Sequence, residues 1–384
     1  MVNAWENVTL IAAEFLRHLE TALVITSLAG KDITSEFNLQ PNGYKVGDSI
    51  RVKTNPEYVT TEFSSTITKQ AIRSSHRTIT IEKHLDISVS VGAKEKRLNM
   101  QDFTNEVIIP AAYQMAEDAD KYVGTKILNA RGLYDSADLF ASAADMASAR
   151  SAANLQRLQP GGRFCLVNDT IESKLLGASY FNTFNTRGPD GQSVFRTGSM
   201  GPAMGMTFFA SLNFPTWSHA VGDGVSQTDN GSGGNTNNQI GATVLTIDAL
   251  TLAEAIPAGA FIKVAGCKRY FRCKTLSNAG ANTTAVPLVD PIDEYVADNA
   301  AVTLVGSGTL AAMGAIFDSA SLGVAMPMLD PPSDKPSSVV SNNGYSLRVV
   351  QGYDMDTKTE IMSIDMLIGA EAYDGRRITL LTDH

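Results

Sequence analysis

Cysteine is scarce in this chain: three residues in 384, Cys165, Cys267 and Cys273. An odd count, with no cationic leader before the first apolar segment, argues against a disulfide framework and leads us to expect a cytosolic setting. Cys267 and Cys273 have no histidine nearby, so all three are expected as buried thiols and not as zinc ligands. Histidine is also sparse. His18, His76, His84, His219 and His384 fall on separate predicted elements, and no His-x-x-Glu-His spacing occurs. The sequence holds neither a G-x-S-x-G elbow nor a phosphate loop ending in Gly-Lys-Ser/Thr. We expect no catalytic residue, no cofactor and no metal site.

Basic clusters are missing too. Lysine and arginine number 31 against 40 acidic residues, a net charge of −9, and no stretch gathers a basic stripe. A protein that grips phosphates shows such a stripe, so any nucleic acid beside this chain is expected to be contained and not clamped. Apolar runs are short. Residues 10–25 are broken by Glu14, Arg17, His18 and Glu20, and nothing reaches the roughly 18 apolar residues of a membrane span. What remains is 43% hydrophobic and 18% charged, the balance of a globular chain with material for a core.

Among the residues present, Ile11, Phe15, Leu19 and Leu23 recur at helical spacing and predict a surface helix seeking a partner. Residues 79–91 alternate Ile79, Ile81, Lys83, Leu85, Ile87, Val89 and Val91 with polar residues, which predicts one long strand with a wet face. Paired back with residues 50–67, it would project as a hairpin arm whose apolar face needs a cover from outside. Pro110 suits a first helical turn. Behind it Ala112, Met115, Ala116, Ala119, Tyr122, Val123 and Ile127 form one stripe, predicting a helix over 110–131. A second helix is expected over 137–158, then a buried strand at 163–168 and a short helix at 171–176. From 241 the pattern becomes all β: five or six short apolar runs separated by Gly, Asn, Asp and Pro turns suggest a small antiparallel barrel. After 313 the mixed pattern of the first half returns. The polar stretch 221–239 thus opens a β module inserted into a host domain.

These segments resemble, in this order, the major capsid proteins of tailed double-stranded-DNA phages that carry an insertion domain. The resemblance runs through "GYKVGDSIRVKTNPEYVTTEF", "ARSAANLQRLQPGGRFCLVND", "GMTFFASLNFP", "GAIFDSASLGVAMPMLDPP" and "YSLRVVQGYDMDTKTEIMSIDMLIGAEAYDGRRITLL". It implies an α+β chain with the Hong Kong phage capsid fold. On that frame an N-terminal arm spans 1–42, an extended loop hairpin 43–90, and a peripheral domain with a spine helix 91–136. An axial domain spans 137–218, an inserted small antiparallel β-barrel 219–307, and a return to the axial and peripheral core 308–384. The implied role is a shell-building coat protein whose hexamers and pentamers close an icosahedron around double-stranded DNA, without sequence-specific contacts. Implied partners are further copies of the chain, a scaffolding protein and a portal, with no membrane. The place is the virion capsid, assembled in the host bacterial cytoplasm.

Candidate inter-subunit contacts are Phe15 and Leu19 on the first helix, Arg51, Lys53, Glu62, Arg73, Arg77, Glu82 and Lys83 along the extended loop, and Asp229 in the polar stretch. Exposed charge pairs are worth only about 0 to 1 kcal/mol each; repeated through a shell they set register and permit correction. Two other readings compete. One is a carbohydrate- or surface-binding β module on a scaffold, for which aromatic platforms are expected in the insertion. The other is the shell of a bacterial encapsulating compartment. The acids of 290–295 are explained by common Asp-Pro turns.

Overall fold

The computed structural model describes residues 3–38, 47–53, 76–92, 104–156, 158–183, 189–215, 218–221, 225–228, 238–248, 256, 258–275, 283–292, 294–305 and 308–383. Two compact units emerge: Met1–Lys126 with Ser319–Asp374, and Ile127–Asp318 with Gly375–His384.

In the first unit the helix Asn3–Ala22 buries Val8, Ala12, Phe15, Leu16 and Leu19 across the strands Ser337–Asn342 and Tyr345–Asp354. Phe15 and Leu19 therefore have no open surface left for a second copy, which corrects their assignment as contact residues. Periodicity reveals an apolar face but not what covers it. Here the cover is the same chain.

The long strand expected over 79–91 is two strands. His76–Thr80 pairs antiparallel with Ser49–Lys53, Ile50 opposite Ile79, while Lys83–Gly92 pairs along residues 359–368 of the strand Thr359–Ala372. The break falls at Ile81, whose N–H donates to Asp48 O at 2.9 Å, so the chain changes partner without changing its alternation. Only the first part belongs to a hairpin; Lys83–Gly92 lies in a five-stranded sheet with Leu322–Ala325, Thr359–Ala372, Tyr345–Asp354 and Ser337–Asn342. The hairpin root packs on its own molecule. Ile79 meets Ile33 and Ala325, with Phe37, Ile50, Val52, Ile81 and Tyr373 around them. The remainder of the expected arm, 54–75, lies outside the described residues.

The long helix Ile109–Ile127 follows a π turn at Thr104–Ile108 and buries Ala112, Met115, Ala116, Ala119 and Val123. It stops four residues short of the expected end. Beyond it, in the second unit, Arg131 N–H donates to Gly375 O at 2.8 Å and Gly132 N–H to Ile378 O at 3.0 Å, so strand pairing takes the backbone groups that a longer helix would use.

The second unit is built on a seven-stranded sheet. Its order is Gly132–Ser136, Thr379–Asp383, Gly308–Asp318, Arg163–Val167, Met206–Ala210 and Pro202–Ala203, with Ser218–Val221 paired to residues 308–311. Helix Ala143–Leu155 packs Met146, Ala149 and Ala153 onto Cys165, Ile316 and Leu381. It begins later than 137 because Ser142 caps it, Oγ accepting from Asp145 N–H at 3.2 Å. The Asp145 carboxylate in turn takes the Phe140 N–H at 2.6 Å and the Ser136 hydroxyl at 3.1 Å, ordering the preceding turn. Asn168 caps the helix Asp169–Gly177 in the same way.

Strands Ser218–Val221 and the start of Gly308–Asp318 run antiparallel, so the chain leaves and re-enters the sheet side by side. Between them Tyr270–Arg272, Phe261–Val264, Ala301–Leu304 and Val225–Gln227 form one sheet, and Val244–Asp248 pairs with Thr283–Pro287. Isolated bridges Thr228–Ile247 and Cys273–Leu288 join the edges of the two. Neighbour relations thus run in a ring around Leu245, Ile247, Ile262, Val264, Val286 and Val302. Asp229 and most of the polar stretch lie outside the described residues.

This module meets its host through arginines. Arg131 pairs with Asp290, Arg272 Nη1 donates to Ala130 O at 2.5 Å, and Arg269 Nε donates to Leu155 O at 3.2 Å. Leu155 ends its helix, and cations suit such carbonyl-rich ends. Burial, helped by the charge of Arg131, brings the Arg272 guanidinium down to about 10. All three cysteines are buried, and none is in a disulfide.

Candidate assembly surfaces

The hairpin root presents two faces. Ile50, Val52, Ile79 and Arg77 share the inner one, as cross-strand partners must. Arg51, Lys53, His76 and Thr78 are exposed on the other. A basic, hydrated face is thus carried on strands whose opposite side is anchored in a core. Glu62 and Arg73 lie outside the described residues.

Glu82 follows the root and is held by its own chain. Its Oε2 accepts from Tyr122 Oη at 2.9 Å and from Lys126 Nζ at 3.0 Å. The lysine bond, then the tyrosine bond, holds its carboxyl below the usual range, while burial and this neighbour raise the Tyr122 hydroxyl well above its ordinary value. Glu82 thus fixes the turn between root and sheet, and Lys83 beside it is exposed.

Glu371 is half-buried within reach of the same charges. Burial raises its carboxyl, Lys126 and Arg77 oppose the rise, and Glu82 adds to it. The raised value fixes the sign of its pH dependence. Between the ordinary carboxyl range and the raised folded value, the unfolded chain has lost the proton and the folded chain keeps it, so stability falls as pH rises through that window. Glu371→Gln is expected to remove this fall and to be the more stable protein at neutral pH. Urea midpoints of both proteins across the acid range test it; a variant less stable at neutral pH refutes it.

On the outer face of the sheet Asp365 is buried and receives the Arg348 guanidinium through two nitrogens, Nε at 3.0 Å and Nη2. The His84 ring nitrogen lies 3.0 Å from Asp365 Oδ2, the oxygen that Nη2 also contacts. Beside them Asp86 accepts from Ser363 at 2.6 Å and Ser88 at 2.9 Å. His84 is thus a polar-face residue with a carboxylate partner. Tyr353, Met355 and Ile361 stand exposed toward one end of this sheet.

Sequence reasoning missed Asp120, the residue that fastens the turn after the first helix. It is 1% exposed and accepts four hydrogen bonds: Val24 N–H at 2.8 Å, Ile25 N–H at 3.1 Å, Thr26 N–H at 2.8 Å and Thr26 Oγ at 2.7 Å. A signal existed: an acid placed inside the stripe formed by Ala116, Ala119 and Val123.

The insertion is poor in aromatic surface. Phe261 and Phe271 are buried in its core, and Tyr270 is half-buried with Lys263 Nζ 4.7 Å from its ring centroid. Tyr295 is exposed. A stacked sugar needs a broader platform than one such ring.

No family model matches the sequence, and no curated protein does. Solved structures do match. A chain from Mycobacterium phage Che8 superposes with a TM-score of 0.51 at 12% identity, over 94% of this chain and 90% of its own. The capsid of Ralstonia phage GP4 gives 0.48 at 8% identity, over 88% and 84%. The capsid of cyanophage P-SCSP1u gives 0.45 at 14%, over 88% and 84%. The fold is mixed α+β and is shared with the phage Che8 chain.

Proposed function

We propose that this chain is the major capsid protein of a tailed double-stranded-DNA phage, a structural subunit that builds an icosahedral shell from hexamers and pentamers. The observation that carries the reading is the likeness of fold to the phage Che8 chain along nearly the whole length of both. The hairpin root supports it, because an arm with a basic outer face, anchored through Ile50, Val52 and Ile79, offers charge to a neighbour. Arg51, Lys53, Glu62, Arg73, Arg77, Glu82, Lys83 and Asp229 remain our candidates for contacts between copies. The inserted strands read as a small barrel at the shell surface. DNA lies inside without specific contacts, in keeping with the net charge of −9, and a scaffolding protein and portal direct assembly in the host bacterial cytoplasm.

Expression of the full chain, with negative-stain microscopy and sedimentation, tests the proposal. Closed particles are expected. Replacing residues 54–75 by a short turn is expected to abolish them while leaving the melting temperature within a few degrees of the full chain. Monomers under every condition, or particles formed equally well by the shortened chain, count against it. Particles filled with cargo protein in place of nuclease-protected DNA favour the compartment shell.

A further inference from the structure

The end of helix Ala143–Leu155 holds two cations that the protein only partly satisfies. Arg163, the first residue of strand Arg163–Val167, is 2% exposed. Its Nε donates to Gln159 O at 2.7 Å, and its Nη2 donates to Asn154 Oδ1 at 2.6 Å and to Leu158 O. Its Nη1 is buried and has no acceptor within the described residues. Arg150 lies four residues before Asn154, one turn along the same face of the helix, and its Nε is likewise buried without an acceptor there. The Arg150 guanidinium rests against Gly205, where a Cβ would stand 3.4 Å from Nη2; with φ at +73° the position also suits glycine.

The charges around this pair do not cancel. Asp318 is the cross-strand partner of Arg163, but its carboxylate is paired with Arg377. Burial, and next the like charge of Arg150, favour loss of the Arg163 proton, while Asp318 opposes this. Water supplies an acceptor to a buried N–H but no charge. An oxyanion supplies both, and the planar guanidinium fork is matched to its oxygens.

We propose that Arg150 and Arg163 form a binding site for one small oxyanion, with Arg163 Nη1 and Arg150 Nε as donors and Gly205 leaving room for the Arg150 fork. The shared chemistry is a pair of acceptor oxygens bearing negative charge. Inorganic sulfate or phosphate and a carboxylate both carry it.

The test uses the purified full chain. Its melting temperature is followed against sulfate, phosphate and acetate, each compared with chloride at matched ionic strength. A saturable rise is expected, as for a ligand that binds only the folded state. Saturation by sulfate or phosphate assigns the site to a free inorganic anion, and saturation by acetate alone assigns it to a carboxylate. Arg150→Met keeps much of the side-chain stem and is expected to weaken the half-saturating concentration at least tenfold; Arg150→Lys, which keeps the charge and loses Nε, is expected to weaken it as well. No saturable difference from chloride in the unaltered chain overturns the proposal whatever the variants do. So does an unchanged response in either folded variant.

Discussion

Replacing Asp120 with alanine is expected to cost about 3 to 5 kcal/mol of stability. The carboxylate is buried and accepts from three consecutive backbone N–H groups and one hydroxyl, all within 3.1 Å. A hydrogen bond to a charged group contributes about 1.5 to 3 kcal/mol, and a buried donor left without an acceptor costs about 1 to 3 kcal/mol. These terms do not add, since the segment at Val24 relaxes toward water once released, yet even half their sum is a large share of the roughly 5 to 15 kcal/mol that holds a domain together. Asp120→Asn is expected to be nearly as damaging, because its amide turns an NH₂ toward N–H donors that need an oxygen. Denaturant midpoints measure both. A midpoint for Asp120→Ala unchanged from the parent would show that the turn after the first helix holds itself.

The contrast between Asp120 and its neighbours shows how the fold was legible. Ala112, Met115, Ala116, Ala119 and Val123 announced a helix because spacing alone sets which side chains share a face. The acid in their midst was visible as an exception. Its partners lie about a hundred residues earlier in the chain, and no local pattern carries that distance. The same limit explains the strand at 79–91. Alternation is identical on both sides of Ile81, so the sequence records two faces and no change of sheet.

Candidate contacts divide along the same line. Exposure of Arg51 and Lys53 follows from alternation within one strand. The burial of Phe15 and Leu19, and the bond from Lys126 to Glu82, depend on elements brought together only by folding. Helix ends were displaced where tertiary bonds took over. Ser142 and Asp145 delayed one start, and Gly375 and Ile378 claimed the backbone just past the long helix.

Gly369→Ala is the second substitution expected to have a large effect, and its consequence reaches the hairpin. Residue 369 lies where the chain leaving His76–Thr80 crosses the strand Thr359–Ala372. A Cβ there would stand 2.5 Å from Thr80 O, 3.0 Å from Thr80 C and 2.9 Å from Ile81 Cδ1. The isoleucine can swing away, but the carbonyl is backbone and moves only with its strand. Overpacking of this kind costs about 1 to 3 kcal/mol when the surroundings yield. If the root lifts instead, Ile79 leaves a fully buried site, a loss of about 1.5 to 3 kcal/mol by area. The two responses separate in hydrogen exchange: lifting strips protection from the amides of residues 76–80 while the sheet keeps its own, whereas a yielding sheet loses protection along 359–372. Gly352→Ala, on the adjacent strand with nothing within 4 Å of its Cβ, serves as the control and is expected to change stability by no more than about 0.5 kcal/mol. Equal behaviour of the two variants would mean that the crossing at Gly369 does not hold the hairpin. On the proposed function, a lifted root is expected to reduce closed particles more than the melting temperature falls, because the basic face of Arg51 and Lys53 is aimed by the contacts that Gly369 permits.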